Sequence, residues 1–120
     1  MNNVNLVGRL AKDVTLRFTK SGKPVATFDL AVKRRFAREG EPQADFFPIV
    51  VWGAQGESCN EYIAKGHLVG VKGRLQVRSY DAKDGSKRYI TEIVAEDVDF
   101  LAAAGGREAR AEVEDEEVPF

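Results

Sequence analysis

The chain has 120 residues, 43% of them hydrophobic, which suits one domain with its own core. Its single cysteine, Cys59, excludes an intramolecular disulfide and is typical of a reducing compartment. No stretch approaches the roughly 20 apolar residues that a membrane span needs, and residues 1–10 lack the pattern of a signal peptide. We therefore expect a cytoplasmic protein.

Charge is distributed unevenly along the chain. The net charge is −1 at pH 7, which by itself suggests no nucleic-acid partner. Residues 111–120, however, contain five carboxylates and no Lys or Arg, so that the remaining 110 residues carry +4. The body is basic and the tail acidic, and this asymmetry between regions is more informative than the overall charge.

The first half of the chain shows two strand patterns. Residues 2–10 form an apolar run broken by Gly8, which predicts a strand with a bend, and residues 13–19 could continue it. Residues 21–24 are a turn cluster, and residues 25–35 then alternate between apolar and polar side chains. The predicted inward positions of that second strand are Ala26, Phe28, Leu30 and Val32.

A third strand and a helix follow an exposed basic loop that begins at Arg34 and Arg35. Residues 45–53 read as a strand, in which Pro48 implies an edge or a bulge because proline has no ladder N–H. Residues 54–65 predict a short helix that ends before Gly66. We expect Cys59, Tyr62 and Ile63 to face the core from this helix.

Residues 68–95 contain two strand-like runs joined by Asp84-Gly85, a strong hairpin signal. The first run alternates, and its predicted inward positions are Val69, Val71, Gly73, Leu75 and Val77. Its outward positions are Lys72, Arg74, Gln76, Arg78 and Tyr80. Three cations and an aromatic ring would suit a nucleic-acid groove, but Lys and Arg also keep an ordinary edge strand soluble. This stretch alone leaves both interpretations open.

Together these elements predict a mainly all-β fold. Short strands with Gly-rich turns favour a small barrel or sandwich. The helix between strands 3 and 4 favours a five-stranded oligonucleotide/oligosaccharide-binding barrel. We expect this domain to occupy residues 1–101, followed by a short flexible linker and acidic tip in residues 102–120.

We find no catalytic constellation in the sequence. His67 is the only histidine and has no cysteine or carboxylate at metal-ligand spacing, while Cys59 has the spacing of a small buried hydrophobe. There is no phosphate-binding loop and no nucleophile elbow. We predict a protein that is not an enzyme and has neither metal nor cofactor.

The aromatic residues suggest a binding function instead. Phe46 and Trp52 are six residues apart and so share one strand face, Phe36 lies in the basic loop, and Tyr80 ends the basic strand. Unpaired bases stack on such rings without sequence preference, while cations track the phosphates. The candidate cations in the loop and on the strands are Lys33, Arg34, Arg35, Lys72, Arg74 and Arg78. The alternative is that Phe46, Trp52 and Tyr80 are ordinary core residues.

Several segments resemble the bacterial single-stranded DNA-binding protein family. The clearest are Asn5-Leu6-Val7-Gly8-Arg9-Leu10, Leu16-Arg17-Phe18, Val51-Trp52-Gly53, Lys65-Gly66, Gly73-Arg74-Leu75, Arg78-Ser79-Tyr80 and Asp84-Gly85. The resemblance covers residues 1–100, and the acidic end is similar to that family's tip. It implies an oligonucleotide-binding barrel, a homotetramer and single-stranded DNA wrapped over aromatic rings.

The resemblance also implies roles for individual residues. By position, stacking falls on Phe36, Phe46, Trp52 and Tyr80. Phosphate contacts fall on Arg17, Lys65 and Arg78. The implied activity is protection of single-stranded DNA in replication, recombination and repair, in the cytoplasm and in association with the nucleoid.

The end of the chain is acidic, then apolar. A terminal phenylalanine adds nothing to solubility, so we expect this tip to recruit replication and repair proteins by a short terminal motif. The predicted tip consists of Glu114, Asp115, Glu116, Glu117, Val118, Pro119 and Phe120. Two alternatives stay open: a primosomal or RNA-binding barrel of similar fold, and an adaptor whose basic face docks an acidic partner.

Overall fold

The computed structural model describes residues 1–104, and the predicted tip lies outside these residues. The described part contains six strands and one helix. In chain order they are β1 (Val4–Leu10), β2 (Thr15–Phe18), β3 (Pro24–Lys33), β4 (Ala44–Trp52), α1 (Gly53–Tyr62), β5 (Leu68–Asp81) and β6 (Lys87–Ala102). No helix in residues 1–104 is long and apolar enough to cross a membrane.

The strands form one sheet in the order β1-β5-β6-β4-β3-β2, and β1 also pairs with β3. That extra pairing, at Arg9↔Ala31 and Leu10↔Leu30, brings the sheet round on itself. All pairs are antiparallel except β4–β6, which is parallel through Ile49↔Ile93 and Val50↔Val94. The architecture confirms the predicted mainly β fold and fits the oligonucleotide/oligosaccharide-binding barrel.

The strand count is six rather than five because the first predicted strand is divided. β1 ends at Leu10, and β2 begins at Thr15 and pairs only with β3. Between them, Ala11 N–H donates to Asp29 O at 2.9 Å, and the Asp13 carboxylate accepts from Lys65 N–H at 2.8 Å. These bonds hold the connecting residues out of a continuous ladder.

Gly8 lies where β1 passes from β5 to β3. A Cβ atom at this position would be 2.3 Å from Ala31 O, closer than real Cβ atoms approach any atom. Glycine is therefore required for the seam of the barrel to close. Glycine is also required at position 73, beside the bulge of the β5–β6 hairpin. A Cβ there would be 2.2 Å from Val94 O.

The core is built from alternate residues of the strands and capped by α1. Ala26, Phe28 and Leu30 of β3 are buried as predicted, and Val32 packs partly buried against them. The remaining buried members are Leu10, Ile49, Val51, Cys59, Ile63, Val69, Val71, Ile93, Ala95 and Val98. Gln55 links α1 to β6 by two hydrogen bonds. Its side chain accepts one from Val98 N–H at 2.7 Å and donates one to Glu96 O at 3.3 Å.

Three predicted core positions are wrong. Leu75 and Val77 are 47% and 62% exposed, because beyond the bulge at Lys72/Gly73 the β5–β6 hairpin projects past the barrel and has no layer beneath it. Tyr62 is exposed because α1 ends there, three residues earlier than predicted, and only the following Ile63 turns into the core. Gly66, at φ +92°, lies past the helix in a turn.

Two turn and edge predictions agree with the structure. Gly85 has φ +86°, and its N–H donates to Ala82 O at 3.0 Å in the turn between β5 and β6. Pro48 pairs with Asp29 of β3, but the parallel ladder to β6 begins only at Ile49. Proline is accommodated because β4 has a neighbour on only one side at that point.

The close approach at Gly8 predicts a large effect of one methyl group. Gly8→Ala should lower the free energy of unfolding by about 1–3 kcal/mol, as overpacking does, because the Ala31 carbonyl would have to move. Urea denaturation measures this. Gly70→Ala is the matched control, since its Cβ would meet nothing closer than Leu101 Cδ1 at 3.8 Å. Equal effects of the two substitutions would contradict the claim that the seam requires glycine at position 8.

Candidate nucleic-acid interface

β4 carries two exposed aromatic rings because its other face is buried. Ile49 and Val51 have no exposed surface, so alternation directs Phe46 and Trp52 to the opposite side of the strand. Phe46 is 63% exposed and Trp52 41% exposed. The alternative that both rings are ordinary core residues is therefore wrong.

Cross-strand pairing places a cation in line with each ring. Trp52 lies opposite Val25, which lies opposite Arg17, so the three side chains share a face. Two strand spacings, about 10 Å, separate the outer two. In the same way Phe46 lies opposite Ala31, and Ala31 lies opposite Arg9.

A third row of side chains runs between the two aromatic rows and crosses five strands. It consists of Thr15, Thr27, Val50, Val94 and Arg74. Val50 and Val94 are buried yet lie outside the core cluster, so they form the floor of the outer face. This row joins the face of β4 to the face of the hairpin that carries Arg74.

The hairpin continues that face outward. Arg78 and Tyr80 follow Arg74 at alternate positions of β5, opposite Ile90 and Arg88 of β6. Tyr80 is 49% exposed, so its ring is not a core residue either. Between the hairpin and β2–β3 lies a groove of about 330 Å³. Its lining includes Lys12, Asp13, Thr15, Thr27, Asp29, Pro48, Val50, Arg78, Ile90 and Glu92.

Two of the predicted cations are already paired with carboxylates. Arg78 Nε donates to Glu92 Oε1 at 2.6 Å, and the Glu92 side chain is buried at the groove. Arg34 holds Asp45 through Nε at 3.1 Å and Nη2 at 2.9 Å. Hydrogen bonding to Asp45 raises the pKa of Arg34 above its usual value. Both guanidinium groups are fixed in position, and part of their charge is neutralised within the protein.

The cations at the end of β3 and in the following loop lie beside the Phe46 row. Lys33, Arg34 and Arg35 line a cavity of about 610 Å³ together with Arg9 and Leu68, next to the β1–β3 seam. Phe36 follows them and is 88% exposed, so it packs on almost nothing. The structure thus places the loop beside the Phe46 row and away from the Trp52 row.

Lys65 and Lys72 lie in different surroundings. Lys65 is exposed, and its backbone N–H bonds Asp13, which lines the groove. Lys72 lies opposite Asn5 and Asp97, in a cavity of about 290 Å³ on the β1 side of β5. Of the predicted cations, Lys72 is the one that the structure separates from both aromatic rows and surrounds with carboxylates.

The chain is similar in sequence to known proteins over most of its length. The family model described as "Single-strand binding protein family" matches residues 1–101. The single-stranded DNA-binding protein 3 of Clostridium acetobutylicum is 63% identical over 102 residues, which are 84% of this chain and 71% of that protein. The single-stranded DNA-binding protein of Staphylococcus aureus strain MRSA252 is 44% identical over 119 residues, 98% of this chain and 76% of that protein.

The chain belongs to the single-strand binding protein family.

Cys59 and His67 of this family member lie outside the aromatic face and have structural surroundings. Burial raises the pKa of the Cys59 thiol to about 11, which keeps it protonated and unreactive at neutral pH. His67 Nδ1 accepts a hydrogen bond of 3.0 Å from Ala64 N–H in the turn after α1. Among residues 1–104, no three His, Cys, Asp or Glu side chains are grouped so that they could hold a metal ion.

Three residues of the aromatic face were not predicted from the sequence. Glu92 was not recognised because its partner, Arg78, lies on the other strand of the hairpin. Arg9 joins the Phe46 row only through the barrel closure. Lys23 lies over the Trp52 ring, with Nζ 5.2 Å from the ring centroid. Each depends on strand register, for which a single sequence has no direct signal.

The environment of Cys59 predicts a pH dependence of stability. The unfolded thiol ionises near pH 9 and the folded one near 11, so the stability that Cys59 contributes is present below pH 9 and lost as the pH rises through 11. Cys59→Ala should flatten the fall in unfolding free energy between these values, measured by urea denaturation. An unchanged slope would contradict the assigned environment.

Proposed function

We propose that this protein binds single-stranded DNA without sequence preference, on the outer face of β4 and the β5–β6 hairpin. The observation that carries the proposal is the pair of exposed rings, Phe46 and Trp52, on a face whose rows end in cations. Relatives of 63% and 44% identity bear the name single-stranded DNA-binding protein.

The mechanism follows from the chemistry of the face. Unpaired bases stack on Phe46, Trp52 and Tyr80, and each such contact contributes about 1–3 kcal/mol whatever the base. Arg17 and Arg74, at the ends of their rows, bind the phosphates between stacked bases. A duplex keeps its base faces covered, so it can use the cations but not the rings.

The remaining predicted residues take supporting positions in this proposal. Lys33, Arg35 and Phe36 extend the binding face past Phe46 through the β3–β4 loop, and Lys65 adds charge near Asp13. Arg34 and Arg78 act as fixed cations because each is held by a carboxylate. Lys72 contributes least, since it lies opposite Asp97.

The wider activity is protection of single-stranded DNA in replication, recombination and repair, by a homo-oligomer that is a tetramer. The exposed apolar stripe of Leu75, Val77 and Tyr89 on the hairpin is a surface that such an assembly would bury. Partner proteins are recruited by the acidic tip. The tip lies outside the described residues, so this part rests on its sequence alone.

One binding comparison tests the function. Oligo(dT) should bind far more tightly than a duplex of equal length or an acidic peptide, and oligo(U) tests the RNA-binding alternative. With roughly five phosphates neutralised, log K should fall with log salt at a slope of about −3.5. Equal affinity for duplex, or preference for the peptide, would contradict the proposal.

Substitution of the rings tests the mechanism. Trp52→Ala and Tyr80→Ala should each weaken oligo(dT) binding by about 1–3 kcal/mol through lost stacking, measured by anisotropy of labelled oligonucleotide. Tyr62→Ala is the matched control, because Tyr62 is an aromatic residue that is even more exposed, at 62%, but lies beside Phe100 and Leu101, away from the face. If the control lost as much affinity as the two variants, the assigned face would be wrong.

Truncation tests recruitment by the tip. Deleting residues 118–120 should abolish capture of genome-maintenance proteins while leaving DNA affinity nearly intact. Deleting residues 111–120 removes five carboxylates and should also raise DNA affinity, most clearly at low salt where screening is weakest. Undiminished binding of such a partner to the shorter truncation would refute recruitment by these residues.

A further inference from the structure

Lys23 covers one face of the indole that the proposed function assigns to base stacking. Its ammonium lies 5.2 Å from the centroid of the Trp52 ring. A cation within about 6 Å of a ring centroid is attracted by the ring quadrupole, most strongly when the ring is Trp. The contact is exposed, so the ammonium is also open to a ligand.

The backbone of Lys23 is held on both sides by the β2–β3 turn. Thr19 N–H donates to Lys23 O at 2.9 Å, and Lys23 N–H donates to Thr19 Oγ1 at 3.1 Å. Gly22, at φ +89°, provides the reversal, and its N–H donates to Thr19 O at 2.8 Å. The turn therefore presents the Lys23 side chain from a fixed point.

Strand register directs that side chain to the ring. Val25 lies opposite Trp52, and Lys23 precedes Val25 by two residues, so both point to the outer face beside the indole. Among residues 1–104, the ion pairs involve Lys12, Arg34, Arg78 and Arg88 but not Lys23. Its charge is not neutralised by a carboxylate, in contrast to those of Arg34 and Arg78.

We propose that Lys23 is a positioning residue of the single-strand site. It holds the indole from one face, which leaves the opposite face for a single base. This rests on the proposed function. A base that instead took the face now covered would have to displace Lys23, and removing the lysine would then strengthen binding.

The first test needs no DNA. Trp52 is the only tryptophan, so its fluorescence reports on this contact alone. Lys23→Met keeps the length of the side chain and removes the charge, and it should increase acrylamide quenching of Trp52. Lys23→Arg should restore the wild-type value, because a guanidinium also stacks on indole. Lys20→Met, in the same turn and also exposed, should leave quenching unchanged.

The second test measures oligo(dT) binding by anisotropy of the labelled oligonucleotide. Lys23→Met should weaken binding about two- to fivefold more than Lys20→Met does. In a Trp52→Leu background the two lysine variants should have equal effects, since Lys23 then has no ring to position.

Three results would overturn the proposal: equal effects of both variants in the wild-type background, a Lys23→Met loss that persists with Trp52→Leu, or tighter binding by Lys23→Met. Wild-type binding of oligo(dT) tests the proposed function separately. Failure of the function and failure of the Lys23 assignment are therefore distinguishable.

Discussion

The alternation of β4 is the constraint on which the site depends. Ile49 and Val51 fill the core, so Phe46 and Trp52 must point outward, because a strand has only two faces. A slip of one residue would bury the rings and expose the core side chains, and the cost of that exchange pins the register. The parallel pairs to β6 then fix where the hairpin face meets the face of β4. The same buried residues that stabilise the barrel thereby set the spacing of the rings.

Charge on the outer face is divided into fixed and free cations. Glu92 orients Arg78, and Asp45 orients Arg34, at the expense of part of their attraction for an anion. Arg17 and Lys23 form no ion pair within the described residues. A ligand that stacks on Trp52 meets these free charges first. The arrangement suits a polyanion that is bound at many points and released when salt rises, because each phosphate contact contributes little by itself.

Sequence periodicity predicted those parts of the fold in which a strand has one buried and one open face. It succeeded for Phe28 and Leu30 in β3 and for the two faces of β4. It failed at Leu75 and Val77, because alternation continues along a strand whether or not a core lies beneath it, and this hairpin outgrows the barrel. The Lys23–Trp52 contact depends on register between strands, which no local pattern encodes. The stacking and phosphate roles of individual residues stay predictions.

Photo-crosslinking of oligo(dT) to the full chain, with the modified residues mapped by mass spectrometry, tests the central claim most directly. Excited thymine forms bonds with side chains that it contacts, so the positions of the crosslinks report the binding face. We predict crosslinks at Phe46, Trp52 and Tyr80, on the face that these residues share. Crosslinks concentrated at Tyr62, Phe100 and Leu101, which line a cavity elsewhere, would contradict it.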